Sequence, residues 1–287
     1  MTAAVLDGEA LAASMRLQLK DRVATLVSKG VTPGLGTILV GEDPPSARYV
    51  AMKHQDCAEV GITSAHAHLP GDVTEKELIE VIERFNADQA IDAYLIQLPL
   101  PKHLDEERIL LAVNPDKDVD GLHPVNLGRL VMGAPGPLPC TPAGIVALLA
   151  ANEVAVEGKH VVIVGRGLTI GRPLALLLAL RRPGCNAAVT VVHTGVPDIG
   201  MYLRTADVIV AAAGVAGLIT KEMVKPGAAV VGAGVSWEGR KLLSDVAEDV
   251  AEIAGFLTPR IGGVGPMTRA MLLENAVAAA SRRVPGI

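Results

Sequence analysis

The stretch His160-Val-Val-Ile-Val-Gly-Arg-Gly-Leu-Thr-Ile-Gly-Arg-Pro-Leu-Ala175 decides how the rest of the chain is read. HVVIV is a β-branched run with the character of a buried strand. Gly165, Gly167 and Gly171 bracket a tight turn, and LALLLAL supplies the apolar body of a following helix. Pro173 stands in the first turn of that helix, where its missing N–H would have had no intrahelical partner. Strand, glycine turn and helix in this order leave backbone N–H groups at a helix N-terminus, an anion site that fits a dinucleotide diphosphate. The spacing G-x-G-x-x-x-G is one residue longer than the usual fingerprint, so a purely structural strand-to-helix turn is the competing reading.

Working outward, the chain has 287 residues, half of them hydrophobic but only 2% aromatic. A core of Ala, Val, Leu and Ile suits layered α/β packing, in which central strands are aliphatic on both faces. The net charge of −5 gives no electrostatic reason to expect nucleic acid. Cys57, Cys140 and Cys185 are too few and too scattered for a disulfide framework or a zinc site. The N-terminal MTAAVLDGEA lacks a basic start and an apolar core, and no apolar run reaches membrane-spanning length. The reading is a soluble cytoplasmic protein with no membrane partner.

Six more strand-like segments extend the pattern. LGTILVG, TSAHAHL and IDAYLIQ alternate with helices in the first half, and a helix over about residues 8–29 precedes them. Ser46 is the expected N-cap of the helix that Gly61 ends, and Thr74 with Glu77 has capping-box spacing. After the Gly/Pro linker GAPGPLP and a helix begun by Thr141-Pro142, the glycine-turn strand, VTVVH, DVIVAAAG and AAVVGAG follow as four strands. Helical segments are expected after Gly171, Pro197 and Thr220, as a doubly wound sheet requires. A helix from about Thr268 to Arg282 closes the chain.

Several side chains could carry chemistry. VTVVH ends in His193-Thr194-Gly195 with no acid until Asp198. A carboxylate there would suit a ribose 2′-hydroxyl. The Thr194 hydroxyl and the Arg166 guanidinium suit a 2′-phosphate, so NADP is favoured over NAD. By position alone, Arg166 is equally well a solvated turn residue. Tyr49 and Lys53 share a helix face, where a solvated lysine is the commoner outcome. Gln97 stands at the C-terminal end of a strand, where open α/β sheets place ligands and where capping glutamines also occur. Asp118 and Asp120 lie in DVDG beside His123, a turn sequence with too few oxygen donors for a metal. Gly262 and Gly263, before a Pro-started helix, let a ligand approach the backbone.

Taken together, SARYVAMK, LIQLPLPKHL, DKDVDGLHPVNLGRL, PCTPAGI, VVIVGRGLTIGRP and GGVGPMTRAMLL resemble the bifunctional methylenetetrahydrofolate dehydrogenase/methenyltetrahydrofolate cyclohydrolase family across nearly the whole chain. The resemblance implies a two-domain α/β fold. A folate-binding domain over 1–141 would be completed by 266–287, and a doubly wound Rossmann-like NADP-binding domain would cover 142–265. It implies tetrahydrofolate substrates, NADP as cofactor, homodimers formed through the NADP-binding domain, and a place in one-carbon metabolism. Lys53 matches the catalytic lysine, Gln97 the glutamine that tunes it, and Tyr49 the tyrosine packed over the substrate. Asp120 matches the aspartate on the pterin edge, and Gly262 and Gly263 a loop close to the folate. Gly165, Arg166, Gly167, Gly171 and Thr194 match cofactor positions. This chain departs from the family pattern at Gly167 (commonly serine), at Arg260-Ile261 (commonly Val-Pro, in PVPGGVGPMT) and at Gly232 (commonly aspartate).

Overall fold

The computed structural model describes residues 3–239 and 241–284. The chain runs β1 (Ala4–Val5), α1 (Gly8–Ser28), β2 (Gly34–Val40), α2 (Pro44–Val60), β3 (Thr63–Leu69), α3 (Glu75–Ala87), β4 (Ala93–Ile96), α4 (Glu106–Ala112) and α5 (Pro124–Met132). It continues through α6 (Cys140–Ala151), β5 (His160–Val164), α7 (Gly171–Ala179), β6 (Ala188–Val192), α8 (Gly200–Leu203), β7 (Val208–Ala211) and β8 (Ala229–Gly232). A hairpin of β9 (Val235–Glu238) and β10 (Lys241–Ser244), then β11 (Phe256–Leu257) and α9 (Val264–Ser281), complete it. Two compact units result: Met1–Ala12 with Pro139–Thr268, and Ala13–Leu138 with Arg269–Ile287. No helix among the described residues is long and apolar enough to cross a membrane.

The smaller sheet belongs to the second of these units and has the parallel order β3-β2-β4. Central β2 is buried at every position, because its aliphatic residues are covered on both faces. On the edge strand β3, His66 and His68 are exposed while the alternating Ala65, Ala67 and Leu69 are half-buried. Helix α2 starts three residues earlier than the Ser46 cap expected from sequence. Asp43 is the N-cap, accepting both the Ser46 N–H at 3.0 Å and the Ser46 hydroxyl at 2.6 Å. Pro44 then takes the first helical position, where it costs no hydrogen bond. The capping box at the start of α3 is present, with Thr74 and Glu77 bonding each other reciprocally.

Tyr94, fully buried in β4, braces the segment that follows α4. Its N–H donates to Lys117 O at 2.8 Å, and its carbonyl accepts the Val119 N–H at 3.2 Å. Its hydroxyl donates to Asn86 Oδ1 at 2.7 Å, which also accepts the Asn114 N–H at 2.8 Å. The 114–120 segment is therefore a loop, as its composition suggests, but one fixed along β4. Helices α4 and α5 flank it, although their seven and nine residues carry too few turns for the sequence pattern to declare them.

The larger sheet has the all-parallel order β1-β11-β8-β7-β5-β6. Its four longest strands, β5 to β8, are the four aliphatic runs expected, packed around Val162, Val164, Ile209 and Val230. β11 and β1 add two residues each, too few to show periodicity. The short strand at the start of the chain is grouped by its pairing. Ala4–Val5 pairs with Phe256–Leu257, so residues 1–12 fall with the larger sheet instead of with 13–138. The helical segments expected after Pro197 and Thr220 are short, the four-residue α8 and a single 3₁₀ turn over Lys221–Met223. On one side of β5 lies β6 and on the other β7, so the order reverses at β5.

Replacing Asn86 with leucine leaves the buried Tyr94 hydroxyl and the Asn114 N–H without their acceptor. Urea unfolding should show a loss of about 1–3 kcal/mol.

Candidate active site

In the unit built on the smaller sheet, α2 and the end of β4 bring Tyr49, Lys53 and Gln97 together. Lys53 is only 3% exposed. Its Nζ donates to Gln97 Oε1 at 3.1 Å and lies 4.7 Å from the centre of the Tyr49 ring. A buried ammonium requires such partners, because desolvation disfavours its charge. Gln97 is oriented by its other end, where Nε2 donates to Leu98 O at 2.8 Å. That bond assigns the amide, so the carbonyl faces the lysine. The Gln97 backbone N–H donates to Ile38 O at 2.8 Å, placing the residue at the C-terminal edge of the sheet.

The neighbours of Lys53 on α2 are held uncharged or paired. Burial pushes the Cys57 thiol up to about 12, with Asp56 adding to the shift and Lys53 opposing it. Cys57 is thus a buried thiol and not a thiolate nucleophile. Burial, His66 and Lys53 hold His54 below its ordinary value, and burial and His68 do the same to His66. The buried Thr37 hydroxyl stands between them, 2.9 Å from His54 Nε2 and 2.8 Å from His66 Nδ1. Arg269 of α9 lies 3.3 Å from Asp56, which ties the C-terminal helix to α2.

DVDG forms the turn its composition suggests, and Asp118 is what shapes it. One Asp118 oxygen accepts the Gly121 N–H at 3.1 Å. The other accepts the His123 N–H at 2.8 Å and Asn126 Nδ2 at 2.9 Å. Asp118 is buried and committed to the loop, while Asp120 is half-buried one step further along it. Asn275 of α9 reinforces the loop by donating to Val119 O at 2.9 Å. Neither Asn86, Asn126 nor Asn275 carries a signal in the sequence, since an asparagine's partners are set only by the fold.

In the other unit, the glycine turn has the close backbone approaches its spacing suggests. Gly165 has φ +118, and a Cβ there would lie 2.2 Å from Ala212 O. A Cβ on Gly171 would lie 2.2 Å from Gly165 O. Nothing approaches the Cβ position of Gly167 within 4 Å, which leaves the front of the turn open. No side chain caps α7 at Ile170. Arg166 Nη1 lies 3.2 Å from His193 Nε2, and Thr194 beside it is exposed. The first acid beyond β6, Asp198, lies 3.4 Å from Arg204. These residues fit NADP: an open helix N-terminus for the diphosphate, and a guanidinium, imidazole and hydroxyl at the end of β6 where no carboxylate repels a 2′-phosphate. His193 stands at the end of VTVVH, and only the fold brings it to Arg166.

Gly262 and Gly263 also belong to this unit, and the chain itself explains them. Gly262 has φ +86, and its carbonyl accepts the Glu9 N–H at 2.9 Å. A Cβ on Gly263 would lie 2.8 Å from Pro259 O. The departure at Arg260 is anchored too, with Nη1 donating to Leu242 O at 2.5 Å on β10. At Gly232 the N–H donates to Thr258 Oγ1 at 2.7 Å, and a Cβ would meet Ser244 Oγ at 2.9 Å. Among the described residues no group of three or more His, Cys, Asp or Glu could hold a metal.

Comparison with known proteins gives this arrangement its family. Residues 6–120 match the catalytic domain of tetrahydrofolate dehydrogenase/cyclohydrolase, and residues 139–284 match its NAD(P)-binding domain. The bifunctional protein FolD of Syntrophotalea carbinolica is 54% identical over 283 residues, covering 99% of this chain and 98% of the relative. The crystal structure of the bifunctional FolD from Campylobacter jejuni is similar with a TM-score of 0.94 at 43% identity, covering 98% of this chain and 100% of that one. The Trypanosoma brucei enzyme, solved with NADP cofactor and inhibitor, has a TM-score of 0.94 at 38% identity over the full length of both chains. The chain therefore belongs to the bifunctional methylenetetrahydrofolate dehydrogenase/methenyltetrahydrofolate cyclohydrolase family, with that family's two-domain α/β fold and NADP-binding domain.

Proposed function

We propose that Lys53, Gln97 and Tyr49 carry the chemistry of this bifunctional enzyme, with Asp120 holding the folate and the glycine turn holding NADP. The dehydrogenase reaction oxidises 5,10-methylenetetrahydrofolate to the 5,10-methenyl cation, and the cyclohydrolase reaction adds water to give 10-formyltetrahydrofolate. The observation that carries the reading is a lysine 3% exposed, hydrogen-bonded to an oriented glutamine and set against a tyrosine ring.

NADP, when bound, supplies the hydride acceptor. The protein contributes orientation in that step. Tyr49 packs over the substrate, Asp120 accepts parallel N–H bonds from the polar edge of the pterin, and Gly262 and Gly263 border the folate. In the hydrolytic step, water adds to the methenyl carbon, one C–N bond of the five-membered ring breaks, and a net proton is released. A cationic substrate beside Lys53 favours the neutral amine, which takes the proton from the attacking water and passes it to the departing ring nitrogen. Gln97 holds that amine in line by accepting one of its hydrogens. Gly165, Gly167 and Gly171 receive the diphosphate. Arg166 and Thr194 receive the adenosine ribose and its 2′-phosphate.

We divide the chain into a folate-binding domain and an NADP-binding domain, a reading supported by its two compact units. We further assign a homodimer formed through the NADP-binding domain, a reading supported by exposed Val235 and Trp237 on the β9–β10 hairpin. A cytoplasmic setting agrees with three buried free thiols, and the 10-formyl product suits purine biosynthesis.

Lys53→Met should lower methenyl hydrolysis by about 10²–10⁴-fold while NADP affinity stays within twofold, measured by methenyl absorbance and by cofactor titration. Hydrolysis at the parental rate would remove Lys53 from this role. Arg166→Ser should reduce the preference for NADP over NAD by about ten- to a hundredfold in KM, because one charge-assisted contact to the phosphate is lost. An unchanged preference would assign the 2′-phosphate to other groups.

A further inference from the structure

We propose that Asp245 is a positioning residue of the cofactor site that favours the oxidised, cationic form of NADP over the reduced form. Asp245 follows β10 and is completely buried. Its Oδ2 accepts the N–H groups of Ala213 at 2.7 Å and Gly214 at 2.9 Å, immediately beyond the end of β7. The preceding residue, Ala212, has its carbonyl against Gly165 of the glycine turn. The loop after β7 is thus clamped between that turn and the carboxylate. Gly234, just past β8, makes room for it, since a Cβ there would lie 1.9 Å from Asp245 Oδ2. Asp245 Oδ1 is buried and has no hydrogen-bond partner among the described residues.

The place of this carboxylate in the sheet suggests what it acts on. β6, with Arg166 and His193 at its end, lies on one side of β5, and β7 and β8 lie on the other. A dinucleotide spans such a reversal of strand order, with its adenosine ribose at the end of the strand after the glycine turn. The β7–β8 edge is left for the nicotinamide half. The nicotinamide ring is cationic when oxidised and neutral when reduced. A buried carboxylate beside that edge attracts only the former, and its direct hydrogen-bond partners are backbone N–H groups that leave its charge uncancelled. The enzyme would then hold its hydride acceptor more firmly than the spent cofactor.

The inference rests on this unit holding NADP. The test is equilibrium binding of both forms to the full chain, NADPH by its fluorescence and NADP⁺ by competition. Parent, Asp245→Asn and Asp245→Ser are compared, with thermal unfolding to verify folding. Both variants should lose at least about fivefold in their affinity for NADP⁺ relative to NADPH. A purely structural role would weaken both forms together, and an equal change in both, or no change, overturns the proposal. Should neither variant fold, the parent decides. Binding NADP⁺ at least as tightly as NADPH supports the proposal, and binding NADPH more than about tenfold tighter overturns it. Failure of the parent to bind either form would overturn the cofactor reading as well.

Discussion

A lysine with 3% of its surface exposed has to be given an acceptor inside the fold, and this requirement organises the unit around the smaller sheet. Gln97 meets it because β4 ends at Ile96 and delivers the next residue to the edge where α2 also presents its buried face. The glutamine could turn either end of its amide toward Lys53. The Leu98 carbonyl takes the N–H₂ end, so only the oxygen is left to face the ammonium. Strand length, the corner after it and the helix register of Lys53 therefore have to agree. None of the three could shift by one residue without turning the glutamine or the lysine away.

The same edge logic holds in the other unit, with backbone groups in place of side chains. There the close approaches are backbone on backbone, Gly165 to Ala212 and Gly171 to Gly165, and they bring a helix N-terminus up to the strand ends. Side chains at these two positions would force the turn apart by distances no packing adjustment absorbs. Gly167 carries no such constraint, so a side chain at that position would not decide whether the turn forms. Arg260 ties its own loop to β10 with a hydrogen bond to the Leu242 carbonyl.

What could be read in the sequence divides along a physical line. Aliphatic runs of four or more residues, capping-box spacing and the glycine turn are local, and each reappears in the fold where its residues stand. Lys53 and Tyr49 were legible as sharing a helix face, but burial of the lysine depends on β4, forty residues away in the chain. Asn86, Asn126 and Asp245 were not legible at all. Their roles consist of hydrogen bonds to groups that only the tertiary structure brings near. The short strands β1 and β11 were missed for a related reason, since two residues have no period. Gly262 and Gly263 were legible as glycines of necessity. The folded chain supplies an internal reason, the approach of Glu9 and Pro259, that stands beside the one suggested by ligand access.

Asp118 and Asp245 show one solution used twice. Each is a buried carboxylate at a site loop, and each is held directly by neutral N–H donors: Gly121, His123 and Asn126 for the first, Ala213 and Gly214 for the second. Elsewhere the chain pairs acids with bases, as in Asp207 with Lys225 and Asp56 with Arg269. A neutral donor satisfies a carboxylate's lone pairs without cancelling its charge, whereas a cation does both. Pairing is the safer arrangement where a charge has only to be tolerated. Neutral donors are the arrangement to use where the loop must be rigid and its negative field still has to reach a ligand. By that argument Asp118 does more than shape the turn that carries Asp120. It adds its field to that of its neighbour on one braced loop.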